Sequence, residues 1–340
     1  MKWWQPKSAL FWVYCATLVA GAFGLAVQIA PVLSLTWSDV LVGLPFTVAT
    51  LVIFGWVILH LDRLRARHRI RTPLVMGFLW GALAGPGIAM WANDHNMRVI
   101  QNLAGDPFAR NWQAPISAAI VEEGIKGAGV FTVAWLSRPL LQRPMHGLLL
   151  GAFVGLGFQV IEDLTYEANS GLLSAQGDAS YAVLVGIVRL ITGITSHWLL
   201  TAIAGIGIVP AVARSDWSSA HRVRIFATFY LLGCALHFGW DAPDPANVPI
   251  VGTTARTICY LLVFAVVYAW VLRSERHWFT TTIARPEAMA IAPPAELHSL
   301  ITRRTRRHAR REMHVHGRRN RRLLERRQRM LLDAVQNLGA

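Results

Sequence analysis

Charge is scarce in this sequence, and so is cysteine. Of 340 residues only 15% are charged, against 54% hydrophobic, and the mean hydropathy is positive. That balance excludes an ordinary soluble domain and fits a chain with several membrane helices. The three cysteines, Cys15, Cys234 and Cys259, are odd in number, lie in apolar runs and form no CxxC. A disulfide framework and a cysteine zinc site are therefore not indicated. The sequence also lacks HExxH, GxSxG and a glycine-rich phosphate loop. This removes the standard soluble zinc-protease helix, the serine-hydrolase elbow and the P-loop.

What the chain has is long apolar runs. A run of roughly 20 residues suffices to span a bilayer as a helix. About eight such runs occur, near 9–32, 40–60, 73–92, 114–136, 147–166, 182–211, 225–241 and 250–272. The first follows the basic segment Met1-Lys2-Trp3-Trp4 and exceeds the roughly 7–15 residues of a signal-peptide core, so it reads as an uncleaved helix. Basic residues cluster after alternate runs: Arg63 to Arg71, then Arg138 and Arg143, then Arg214, Arg222 and Arg224, then Arg273 and Arg276. The loops after the first, fifth and seventh runs carry no lysine or arginine, and only the loop after the third is mixed. The positive-inside rule then puts both termini in the cytoplasm. Expected is an all-α polytopic cell-membrane protein with a membrane domain over 1–278 and a cytoplasmic tail over 279–340. The net charge of +14 resides largely in that tail, from Arg303 to Arg329. Its position beside a membrane points to anionic lipid rather than nucleic acid, with Leu323, Leu324, Leu331 and Leu332 on a short amphipathic helix. Tryptophans such as Trp37, Trp91 and Trp240 fall near run ends, as in an interfacial belt. Gly147, Gly151, Gly155 and Gly157 have the spacing of a close helix–helix contact.

Four runs contain ionisable residues that a bilayer helix does not need. The fourth has Glu122, Glu123 and Lys126; the fifth has Glu162 and Asp163 after Phe158; the sixth has Arg189 and His197; the seventh has His237 and Asp241. A charge at the bilayer centre costs about 3 kcal/mol on insertion scales, so such groups usually face a polar interior and neutralise one another. Helical spacing sets Lys126 beside both glutamates, and His237 on one face with Asp241. With the loop-derived orientation, Glu122, Glu123 and His197 fall near the midplane, about 15 Å from the outer end of their spans. Glu162, Asp163, His237 and Asp241 fall nearer the outer surface. The expected arrangement is a polar cavity among the fourth to seventh spans, open to the outside. A buried glutamate can activate water, and a histidine can stabilise an oxyanion or bind a metal. Glu122 and Glu123 point about 100° apart on a helix, so one can face the cavity while the other pairs with Lys126. Asp94 and His95 read as surface loop residues.

Glu122-Glu123-x-x-Lys126, Phe158-x-x-x-Glu162, His197 and His237-x-x-x-Asp241, in this order and each inside a span, resemble the motifs of the PrsW family of intramembrane proteases. That family is similar in turn to the CAAX-processing and bacteriocin-processing membrane proteases. The resemblance covers about residues 73–242. It implies cleavage of a single-span, membrane-anchored protein, typically an anti-sigma factor, on the extracytoplasmic side. It implies Glu122, Glu123, His197 and His237 as catalytic, with Lys126, Glu162 and Asp241 in support. The histidines would be oxyanion or metal partners. Members are commonly labelled metalloproteases, so a divalent metal such as zinc on Glu162, His197 and His237 is one expectation; a glutamate mechanism without metal is the other. The first two spans and the arginine-rich tail lie outside the shared pattern. The same buried cluster also suits a proton- or cation-coupled transporter relay, though no clear inverted repeat is visible. A catalytically inert scaffold or sensor is a third reading.

Overall fold

The computed structural model describes residues 4–173, 179–244, 248–314 and 317–339, and among them there are helices and no strand. Helix α1 (Ala9–Leu61) is 53 residues long and leaves helical dihedrals at Thr36, between Pro31 and Pro45. Proline removes a backbone donor and crowds the preceding turn, which bends a helix. Thr36 Oγ1 donates to the Val32 carbonyl at 2.9 Å, so the bend leaves that acceptor satisfied. Helix α2 (Arg71–Leu79) passes through a π-helical turn, Trp80–Ala84, into α3 (Gly85–Ala104). Then follow α4 (Asp106–Leu136), α5 (Pro144–Leu173), α6 (Ala179–Thr192), α7 (His197–Ala213), α8 (Ser219–Asp241) and α9 (Pro249–Ile283). The tail adds the short α10 (Pro294–Ser299), α11 (Arg303–His314) and α12 (Arg318–Leu338).

Among the described residues, six stretches are long and apolar enough to cross a membrane: Ala9–Leu61, Arg71–Ala104, Pro144–Ser170, Ser180–Ala213, Ser219–Asp241 and Pro249–Ile283. Helix α4, 31 residues long, has the length but is made more polar by the buried charges it carries. Divided at Thr36, α1 supplies the stretches 9–35 and 37–61, each of spanning length. With α4 the architecture accommodates the eight or so crossings read from the sequence. Two features differ from that reading. The third helix does not stop near 92 but continues to Ala104, so Asn93, Asp94 and His95 are helical. The sixth run is not continuous: a 3-10 turn, Gly193–Thr195, and the extended Ser196 separate α6 from α7.

The core is built around α5 packed on α7. Gly147, Gly151 and Gly155 form the contact stripe of α5. A Cβ on any of them would lie 2.1–2.2 Å from the carbonyl oxygen of Gly205, Thr201 or His197 respectively. Small residues here let the two backbones touch, as the spacing predicted. Gly157 faces the other way, against the Phe78 carbonyl. The buried apolar side chains around the pair include Leu148, Leu149, Val154, Leu199, Leu200 and Ile203.

The tail is folded. Leu331, Leu332 and Val335 of α12 pack with Leu64, Phe279, Ile283, Leu297 and Leu300 in a second apolar cluster. Leu323 is exposed. Helix α9 itself runs through residue 278 to Ile283, so the tail begins as a continuation of the last long helix. Beneath the bundle, Arg143 donates to Glu275 at 2.9 Å and to Gln336 at 2.6 Å. Arg143 also contacts His146 Nε2 at 2.7 Å and stacks on Trp278 at 3.4 Å. Gln336 in turn donates to the Leu64 carbonyl at 2.8 Å. Gln5 near the other terminus donates to the Leu136 carbonyl at 3.3 Å, so the N-terminal residues and the tail share one end of the bundle.

Candidate active site

The break between α6 and α7 sets the geometry of the site. It makes His197 the first residue of α7 rather than a mid-helix residue. A broken helix in an apolar setting strands backbone groups, which must find partners. Gln159 of α5, fully buried, supplies two: its Nε2 donates to the Gly193 carbonyl at 3.3 Å and its Oε1 accepts from Trp198 N at 3.4 Å. Trp198 Nε1 also donates to the Gly193 carbonyl, at 3.1 Å. Gly193 permits this approach, since a Cβ there would meet Gln159 Nε2 at 2.5 Å. On α4, Trp80 of the π turn donates to the Ile125 carbonyl at 2.9 Å and fixes the helix that carries the glutamates.

The residues singled out from four runs meet in one buried cluster. Lys126, with no exposed surface, sits at its centre. Its Nζ lies 2.7 Å from Glu123 Oε1, 2.9 Å from His197 Nδ1 and 3.6 Å from Glu122 Oε2, over the Phe158 ring at 4.5 Å. His237 Nδ1 is 2.8 Å from Glu123 Oε1. His197 Nε2 is 2.7 Å from Glu162 Oε2. Arg189 binds both acids of α5, with Nη2 at 2.5 Å from Glu162 and Nε at 2.6 Å from Asp163. Asp241 is 3.5 Å from His237 Nε2 and more exposed than the rest.

Glu122 and Glu123 occupy different environments. Glu123 is enclosed between Lys126 and His237. Glu122 lines a cavity of about 300 Å³ together with Asn93, Phe158, Glu162, Tyr166 and Met90. Its Oε1 accepts from Asn93 Nδ2 at 3.1 Å, while its Oε2 is buried without a hydrogen-bond partner. Asn93 is held in turn by Ser117, whose hydroxyl donates to Asn93 Oδ1 at 2.8 Å and accepts from Asn96 at 3.2 Å. Sequence reasoning missed Asn93, Asn96 and Ser117. The clue available was the i, i+3 spacing of Asn93 and Asn96 beyond residue 92, which becomes legible only once α3 extends that far; Ser117, on α4, gave no such signal. Asp94 and His95 are on the outer side of the same helix, where His95 Nδ1 contacts the Trp91 carbonyl at 2.8 Å.

The tautomers follow from these contacts. Each histidine turns one ring nitrogen to a carboxylate, Nε2 of His197 to Glu162 and Nδ1 of His237 to Glu123. In a neutral ring that nitrogen carries the proton and the other is an acceptor. The acceptors, Nδ1 of His197 and Nε2 of His237, stand 3.9 Å and 3.7 Å from Oε2 of Glu122, which has the ion pair with Lys126 but no hydrogen bond. Three acceptors thus converge, and one donor atom from each of Glu122, His197 and His237 lies within 4.8 Å of the other two. Lone pairs aimed at one another in a low-dielectric site repel unless a cation or proton lies among them; Lys126 meets this in part, at His197 Nδ1 and Glu122 Oε2, and an ion held on Nδ1 would take the place of that lysine contact. The charge balance points the same way. Glu122, Glu123, Glu162, Asp163 and Asp241 outnumber the permanent cations beside them, Lys126 and Arg189. The donor set therefore fits a divalent ion. Histidines backed by carboxylates are the usual outer shell of a zinc site. Glu162, expected as a ligand, stands behind His197 and is bound by Arg189, while Glu122 takes the third position in the donor set.

The sequence pattern described as PrsW family intramembrane metalloprotease matches residues 70–271, more than half of the chain. The chain belongs to this family. It is a multi-pass membrane protein. A curated relative, Protease PrsW from Shouchella clausii (strain KSM-K16), is 26% identical over 152 residues, or 45% of this chain and 60% of that protein. The chain thus matches less than two thirds of that relative's length. No solved structure matches. The family match spans α2 to most of α9 and contains every residue of the cluster; the whole of α1 and the whole tail lie outside it. Membership does not favour the transporter reading, and the break before His197 has a local role in placing that ring.

Proposed function

We propose that the chain is an intramembrane peptidase that hydrolyses a peptide bond of a single-span membrane protein at Glu122, His197 and His237. The observation that carries this reading is that one donor atom from each of Glu122, His197 and His237 lies within 4.8 Å of the other two, with Glu122 lining a cavity. A divalent ion such as zinc held by these three residues would polarise the scissile carbonyl and make bound water acidic near neutral pH. The chain's own groups do the remaining work. Asn93 holds Glu122 by one oxygen and leaves the other facing the reaction. Glu123 and Glu162 fix the ring orientation of His237 and His197. Lys126 offsets part of the negative charge at the centre. Pro86, Met90 and Phe158 give the cavity an apolar wall, and Asn93, Thr165 and Asn169 offer polar contacts to a peptide backbone. An anti-sigma factor cut towards the extracytoplasmic side is the substrate class that fits the family resemblance and the loop charges.

The test uses the full chain purified in detergent, wild type beside Glu122→Gln, His197→Ala and His237→Ala. Metal content by mass spectrometry, after dialysis against zinc, should be about one ion per chain in the wild type and lost in each variant. Cleavage of a library of single-span substrates should vanish with the variants and with chelator, and return with zinc. Cleavage that persists in Glu122→Gln would refute the assignment of Glu122. Cleavage by a wild-type chain stripped of all metal would refute the ion and leave the glutamate mechanism.

A further inference from the structure

The folded tail concentrates charge in one place. Acids take up part of its arginine, since Glu325 faces Arg310 and Arg329 and Glu296 binds Arg327, while the tail's Asp333 binds Arg65 of the loop after α1. Arg63, Arg276, Arg303, Arg304, Arg307 and Arg311 instead line a cavity of about 620 Å³ with Thr302 and His308; among the described residues no carboxylate lines it, and His308 faces Glu312 at 3.2 Å. A neighbouring cavity of about 470 Å³ shares Arg307 and Arg311 and adds Arg310 and Arg321.

The arginines of the larger cavity come from three separate segments, the loop after α1, the last turns of α9, and α11, and Arg321 of the smaller one comes from α12. The basin exists because the tail packs back, not because the tail is basic. Arg306 of α11 is the pin. It donates to the Arg63 carbonyl at 2.9 Å and to the Leu300 carbonyl. Arg310 and Gln328 tie α11 to α12 at 2.7 Å. Arg63 rests near the Tyr268 ring at 5.5 Å, and its Nε is buried without a hydrogen-bond partner. Burial and the crowding of Arg310, Arg303, Arg63 and Arg276 pull Arg306 down to about 10. So many like charges around one opening repel one another unless an anion fills it. The guanidinium fork matches phosphate oxygens in pairs. A cavity of this size takes a small molecule rather than a single ion.

We propose that this basin binds an anion carrying two or more phosphate groups. A lipid headgroup with two phosphates could supply it from the membrane face, since Arg63 and Arg276 sit at the ends of long helices. A soluble polyphosphate could supply it from the aqueous side.

The experiment uses the full chain in detergent, with tripolyphosphate as soluble probe and cardiolipin as lipid probe. Calorimetry should show tripolyphosphate binding at about one per chain. The pair Arg307→Gln and Arg311→Gln should weaken it about tenfold or more. Both residues are exposed. The pair Arg318→Gln and Arg322→Gln removes the same charge from exposed α12 positions outside the basin, and should change binding less than about threefold. Matching melting curves for both pairs confirm an intact tail. Cardiolipin retained in native mass spectra and displaced by tripolyphosphate identifies the lipid source; tripolyphosphate binding without retained cardiolipin identifies the soluble one. No binding of either probe, or equal loss in the two pairs, overturns the proposal.

Discussion

Substituting Gly155 by alanine tests how the α5–α7 contact positions the site. A Cβ at this position would stand 2.2 Å from the His197 carbonyl oxygen and 2.8 Å from Trp198 Cα, where ordinary contact begins at 3.4 Å. Both obstacles are backbone, so no side chain can swing aside. The helices must part locally by about 1 Å. Overpacking of this kind costs about 1–3 kcal/mol, and the helical preference of alanine over glycine returns about 0.5–1 kcal/mol. The net loss should lower the apparent melting temperature in detergent by about 2–8 °C. The displaced atom belongs to His197 itself, so cleavage should fall further, by about a hundredfold for a shift of that size. Gly124 provides the comparison. It lies inside the glutamate turn of α4, yet a Cβ there meets nothing within 4 Å. Gly124→Ala should therefore hold or raise the melting temperature, with little change in cleavage. If Gly155→Ala melts and cleaves as Gly124→Ala does, the contact stripe does not position His197.

Other expectations concern the polar groups. Lys126→Met leaves Glu122 and Glu123 without their cation and should destabilise the chain by about 3–5 kcal/mol, read as a loss of folded protein in size-exclusion profiles. Unchanged yield and melting would contradict the central place of Lys126. Asn93→Leu removes one charge-assisted hydrogen bond from Glu122 and should reduce cleavage about tenfold or more while the melting temperature moves little; an unaltered rate would show that Glu122 needs no such support. Gln159→Leu strips two partners from the helix break and should cost about 1–3 kcal/mol in thermal stability, with faster amide exchange at Trp198. Protection at Trp198 equal to wild type would contradict the bridging role.

Much of the site was legible because its residue types are conspicuous where they stand. Glutamate, lysine and histidine in apolar runs announce a buried polar interior, and the helical repeat separates Glu122 from Glu123 before any coordinates are known. The glycine stripe on α5 was legible for the same reason, as a spacing with one physical use. What the sequence hid depended on distant partners. The segment Gly193-Ile194-Thr195-Ser196 is apolar enough to read as continuous helix. It opens because Gln159, on another helix, satisfies the groups that the break exposes. Asn93 was hidden by a boundary error at the end of α3, since a run judged by hydropathy ends where polar residues begin. The tail's leucines showed an amphipathic face but not the surface it covers, because Leu64 and Phe279 are far apart in sequence.

The tie between Gln336, Arg143 and Leu64 has a consequence for biosynthesis. Chains emerge from the ribosome N-terminus first, and early segments tend to settle before later ones appear. Here Arg143 and Glu275, at the base of the bundle, can pair before Gln336 exists, whereas the Leu64 carbonyl has no Gln336 donor until α12 has been made. Leu64, Phe279 and Ile283 likewise have only part of their cover, from Leu297 and Leu300, until Leu331, Leu332 and Val335 arrive. The membrane helices can be inserted one after another, but this end of the protein closes only after synthesis has passed residue 336. A nascent chain stalled earlier would display an apolar patch and an unfinished polar base to chaperones and quality-control proteases.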